Sequence, residues 1–313
     1  MRIFSYLLLL LFISFSSVSA QNKALKYNPI AEPNTYRNLD NPNYWKNKKP
    51  HSDYWQQDVY YIISANIDEQ KDRIDGTEKL TYWNNSPDDL NVVYFHLYQN
   101  AFQPESHHAD LNQQNNNTVK YGPYEADKKG TQVHRITSNG RKILLELDNT
   151  ILKVHLSKPI KSGESIDFDI EFTTYFGEGA MGRRMKKFKT DGKTHYDGVH
   201  WYPRISVYDA KFGWTTDQHL GKEFYGDFGS FDVELTFAAN YIVDATGFLL
   251  NRTALIPQEL KEKLAIKNFK DKPWNEPASV IIKYNPLKRK TWKFHAENVH
   301  DFAFTADPNY RIG

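Results

Sequence analysis

The chain has no cysteine among its 313 residues. Disulfide staples, thiolate metal sites and a cysteine nucleophile are excluded together, so core burial alone must hold the mature protein. A chain this long can bury enough surface for that. Charge of one sign is missing as well: 40 Lys and Arg stand against 38 Asp and Glu. No strong field therefore points to nucleic acid or to an anionic membrane. The densest basic run, Arg183, Arg184, Lys186, Lys187 and Lys189, lacks a larger basic patch around it and reads as a solvated loop. Long apolar runs are absent beyond the N-terminus, so no later segment approaches the roughly 20 residues a membrane span needs.

The one apolar run is terminal. Arg2 precedes Ile3 to Phe15, and Val18-Ser19-Ala20 supplies small residues for cleavage. This pattern predicts a signal peptide over 1–20, cut after Ala20, and a secreted or periplasmic product with no membrane span after cleavage. No cysteine follows the cut, which excludes a thioether lipid anchor.

Catalytic signatures are missing too. None of the 11 histidines stands in a His-Glu-x-x-His pattern, and neither Gly-x-Ser-x-Gly nor a phosphate-cradling glycine loop occurs. His107 and His108 are adjacent, so their side chains diverge; His295 and His300 read as structural or solvated. The residues alone give no catalytic group and no metal ligand set.

What is present is alternation. Ile166, Phe168, Ile170 and Phe172 interleave with Asp167, Asp169, Glu171 and Thr173, the signature of a strand with one wet face. Phe231, Val233, Leu235 and Phe237 repeat it, as do Val59, Tyr61, Ile63, Ala65 and Ile67. Further strands are expected after Asp75-Gly76 as far as Trp83, and over 92–98, 142–147, 151–156, 241–245, 279–284 and 291–296. A single connector helix is expected from Pro257, with Leu260 and Leu264 as its apolar stripe. Asn112 to Asn117 reads as a polar surface loop, and residues 21–54 as an extended arm rich in Asn, Pro, Tyr and Lys. The fold expected is mainly β: one large antiparallel β-sandwich or saddle-like domain over 55–307.

Aromatic residues concentrate in one window: Trp201-Tyr202-Pro203-Arg204, Tyr208-Asp209, Gly213-Trp214, then Glu223-Phe224-Tyr225-Gly226-Asp227-Phe228-Gly229. Interleaved Gly and Asp let the backbone turn between rigid rings. The window reads either as an aromatic loop capping a sheet or as the wall of a cleft. In the second reading His200, Trp201, Tyr202 and Arg204 line that cleft.

Four segments carry a resemblance. They are Asn84 to Leu90 with His96 to Phe102, Trp201 to Arg204, Phe231-Asp232-Val233 with Tyr241 to Gly247, and Phe294 to Phe304. In this order they resemble the N-terminal domain of aminopeptidase-N-like zinc metallopeptidases, in the form of secreted bacterial members. The resemblance implies a non-catalytic N-terminal portion of an enzyme that hydrolyses peptide bonds at N-termini. The intact protein would use zinc, with peptide as substrate and its own downstream catalytic domain as partner. Zinc ligands lie beyond the matching segments in that family, so residues 308–313 read as the start of a missing catalytic domain and this chain as binding none. A free-standing β-sandwich module for glycan or protein, or a catalytically dead scaffold, remains open beside it. Under the first reading Trp201, Phe228, Phe302 and Phe304 would be left as an exposed patch, and the chain would self-associate.

Overall fold

The computed structural model describes residues 53–179, 184–190, 192–221, 224–269 and 280–312. The expected signal peptide and almost all of the arm lie outside the described residues. Residues 53–313 form one compact unit. Its strands in chain order are β1 (Asp58–Asp68), β2 (Arg73–Trp83), β3 (Leu90–His96), β4 (Thr131–Ser138), β5 (Arg141–Lys142) and β6 (Leu144–Asp148). Next come β7 (Ile151–Ile160), β8 (Ser165–Tyr175), β9 (Lys186–Thr190), β10 (Lys193–Gly198), β11 (Arg204–Ile205) and β12 (Tyr208–Asp209). The last six are β13 (Gly213–Trp214), β14 (Gly229–Ala238), β15 (Ile242–Ala245), β16 (Phe248–Leu249), β17 (Arg289–Val299) and β18 (Phe304–Asp307). With 48% strand and 13% helix among the described residues, the fold is mainly β, its helix content well below the third or so typical of globular domains.

Alternation builds the central layer. An eight-stranded sheet runs β16-β17-β14-β1-β2-β8-β4-β5. Val59, Tyr61, Ile63, Ala65 and Ile67 of β1 share its buried face with Phe231, Val233, Leu235 and Phe237 of β14. All its pairings are antiparallel except β1 with β14, which run parallel with Val59 opposite Gly229. Two four-stranded sheets, β15-β18-β10-β9 and β11-β3-β7-β6, complete the core. Their buried residues, among them Phe95, Val154, Tyr196 and Phe304, join the same cluster as the large sheet.

The connector helix is α4 (Gln258–Leu264), entered through Pro257, with Leu264 buried. Among the described residues three other short α-helices accompany it: α1 (His107–Gln114), α2 (Pro123–Ala126) and α3 (Arg252–Leu255). Helix α1 takes up part of the expected polar loop because the Ser106 side chain caps the Ala109 N–H. Residues 280–284 carry no strand, contrary to the expectation there; Lys288 and Asn285 close a turn instead. Trp55, just before β1, packs its ring 4.9 Å from that of Tyr208.

Candidate functional site

The left-handed backbone of His200, φ 55°, turns the chain inward ahead of Trp201. From there the segment is buried side chain by side chain: His200, Trp201, Tyr202 and Arg204 are each less than a tenth exposed. Each of the four sends one polar group to the stretch before β18. Trp201 Nε1 donates to the Phe302 carbonyl at 3.0 Å, and Tyr202 Oη donates to Asp301 Oδ1 at 2.9 Å. His200 Nε2 lies 3.1 Å from Asp301 Oδ2. Arg204 Nη2 donates to the His300 carbonyl. Three hydrogen bonds and the His200–Asp301 contact thus tie two segments about a hundred residues apart into one buried knot.

The knot has an unusual electrostatic balance. Burial alone would raise the Asp301 carboxyl, but the His200 hydrogen bond and the Arg204 charge outweigh it and hold it at about 2. The same burial lowers His200. Asp227 follows the opposite course: burial pushes it up to about 8, only partly offset by Arg204. Asp227 Oδ2 and Arg204 Nη1 are both buried without a hydrogen-bond partner among the described residues. Gly226 is dictated by this packing, because a Cβ there would sit 1.3 Å from Arg204 Nη2. The guanidinium cannot step aside without leaving the His300 carbonyl.

Outside the knot lies a cleft of about 530 Å³. His96 and Tyr98 form one side, the strip from Phe212 to His219 another, and Phe224 with Tyr225 a third. His96 Nε2 lies 3.1 Å from the Thr215 carbonyl, a contact that requires that nitrogen to be the donor. Burial, then Arg204, lowers His96 to about 4, so the ring is neutral. The expected cleft residues His200, Trp201, Tyr202 and Arg204 are absent from this lining. They stand behind it: the His200 ring touches Phe224 at 3.3 Å and Tyr98 at 5.0 Å. Of the residues that do line it, Phe212 to Tyr225 fall within the aromatic window and His96 and Tyr98 within a segment that carries the resemblance, but none was singled out as a cleft residue. Their signal was Gly213-Trp214 followed by a polar strip with a second aromatic pair after it.

Zinc does not fit the described residues. No group of three or more His, Asp or Glu among them could hold a metal. The nearest approach is His195, with Asp307 at 3.0 Å from Nδ1 and Asp197 at 2.9 Å from Nε2. Those carboxylates sit at opposite ends of one ring, so the donors do not converge.

No known family profile matches the chain, and no curated protein does. Among solved structures it is similar to the M1 zinc metallopeptidase from Deinococcus radiodurans, at 12% identity and a TM-score of 0.42. The match covers 80% of this chain and 42% of that one. A two-domain M1 zinc metallopeptidase E323A mutant bound to L-tryptophan gives 12% identity and 0.43, over 80% and 43%. The chain thus spans less than half the length of the structures it resembles. At that identity and superposition the likeness carries no argument about activity.

Proposed function

We propose that this chain is the N-terminal, non-catalytic portion of a secreted zinc aminopeptidase-like metallopeptidase, which is exported by a signal peptide over 1–20. Its partner is a catalytic domain encoded beyond Gly313, and peptide is the substrate of the intact protein. The 53–307 β unit shapes the approach to that domain and restricts entry to chain ends.

One observation supports the reading most. The segments that carry the sequence resemblance, well separated in sequence, come together in space. Arg204 pairs with His96 and bonds to the His300 carbonyl. Asp232 pairs with His295, and Ala245 pairs with Phe304. These pairings lie in three sheets whose buried residues share one core.

The coding DNA past Gly313 tests this directly. A His-Glu-x-x-His motif with a later Glu is expected. The extended protein should release amino acids from aminoacyl amides and lose that activity to a chelator, whereas the 313-residue chain hydrolyses nothing. A stop codon at that point, or a downstream domain without the motif, overturns the proposal.

A further inference from the structure

A second recess, of about 240 Å³, lies between the eight-stranded sheet and the β11-β3-β7-β6 sheet. Ser138, Arg141 and Ile166 line it from β4, β5 and β8, and Leu156, Ser157 and Lys158 from β7. Asn139 and Ile143 complete the lining. It shares no residue with the cleft. Ile143, Leu156 and Ile166 pack against the core and give the recess its apolar part. The β4–β5 hairpin turns through Asn139 at φ 49° and Gly140 at φ 72°, the left-handed pair that a tight two-residue turn requires. Ser138 pairs with Arg141 across that turn, which fixes the base of the guanidinium arm.

The polar part of the lining is what distinguishes the recess. On the same two sheets Lys79 meets Asp167 at 3.1 Å, Lys153 meets Glu146 at 3.4 Å, and Arg135 pairs with Glu171. Arg141 and Lys158 have no ion pair and no side-chain hydrogen bond among the described residues. The side chains of Ser138, Asn139 and Ser157 are equally uncommitted there. Neither Asp nor Glu is among the described residues of the lining. Two positive charges thus border one recess that supplies no counter-charge.

A guanidinium fork beside an ammonium point charge suits carboxylate or phosphate oxygens. Serine hydroxyls and an asparagine amide can donate to the lone pairs that remain. We propose that this recess binds a small organic oxyanion, with a carboxylate or phosphate head and a short branched aliphatic tail. The head sits between Arg141 and Lys158, and the tail against Ile143, Leu156 and Ile166. Drug-sized ligands occupy roughly 300–1,000 Å³, so a recess of about 240 Å³ restricts the ligand to a compact one. The assignment rests on this chain alone and not on a catalytic domain.

Titrations of the full chain, followed by the amide resonances of residues 138–143 and 156–158, test it. The probes are 4-methylpentanoate, isopentyl phosphate, the neutral 4-methylpentanamide and inorganic phosphate. The tighter of the two tailed oxyanions identifies the head. It is expected to bind roughly tenfold tighter than the amide, and tighter than inorganic phosphate. Arg141→Gln and Lys158→Gln should each weaken it several-fold, whereas Lys142→Gln, outside the lining, should not. All three side chains are exposed, and unchanged near-ultraviolet circular dichroism would show that the variants fold. Equal binding of the amide would make the recess merely apolar, and equal binding of inorganic phosphate would leave only a cationic patch. An equal loss in Lys142→Gln would replace the site by diffuse charge. No binding of either tailed oxyanion at millimolar concentration, or an unchanged affinity in Arg141→Gln, also overturns the proposal.

Discussion

Asp227 and Asp301 both feel the Arg204 guanidinium, yet burial wins at one and loses at the other. Asp301 has His200 and Tyr202 to satisfy its oxygens, while Asp227 Oδ2 has no partner among the described residues. The consequence for stability has a definite sign. Because the folded Asp227 carboxyl titrates at about 8 against an ordinary 3.8, the native state keeps a proton that the unfolded chain has released. Stability attributable to it therefore falls as pH rises from about 4 to about 8 and then levels. Asp301, depressed to about 2, contributes stability above about 4 that is lost as pH falls through 2. Asp227→Asn should thus stabilise the protein little at pH 5 and most at pH 8 and above. Urea melts across that range check it. A gain that is the same at every pH would mean that Asp227 is ionised in the fold.

At the scale of elements, a glycine in β10 shows how tightly strands and rings are fitted. A Cβ at Gly198 would lie 2.2 Å from Phe304 Cε1, and that ring is enclosed by Trp201 at 5.6 Å and Phe237 at 5.8 Å. Gly198→Ala should cost about 1–3 kcal/mol through overpacking. Phe304→Leu in the same chain should recover part of the loss, a coupling that a double-mutant cycle measures. Additive effects would show that the ring has room to move. The strands themselves were legible, since period-two alternation names the buried face of β8 and β14 without any tertiary knowledge. Alternation does not name the neighbour, so the parallel pairing of β1 with β14 could not be read from it. The cleft was half legible. Ring density marked the window, but which rings turn outward depends on the bonds from Trp201, Tyr202 and Arg204 to residues 300–302, and no local pattern encodes those.

For the whole molecule, the expected aromatic patch has to be redrawn. Phe302 and Phe304 lie in the chain's own core, as does Trp201, because β18 pairs with β15 and β10 and faces the large sheet. Trp214 and Phe224 are half-buried, and Phe228 is exposed. The more exposed apolar surface on a strand edge is elsewhere. Strand β6 ends the order β11-β3-β7-β6, and its Leu144 and Leu147 are 66% and 60% exposed. An edge strand with free backbone groups and bare leucines is a template for pairing with another copy. Concentration-dependent association of the purified chain is therefore expected to run through β6. Leu144→Lys with Leu147→Lys should suppress it in sedimentation velocity without lowering the melting temperature, since neither side chain contributes to the core and lysine on an edge opposes pairing. Phe212→Ser with Tyr225→Ser should leave it in place. The reverse result, with association lost through the cleft rim and kept in the lysine pair, would move the sticky surface back to the aromatic window.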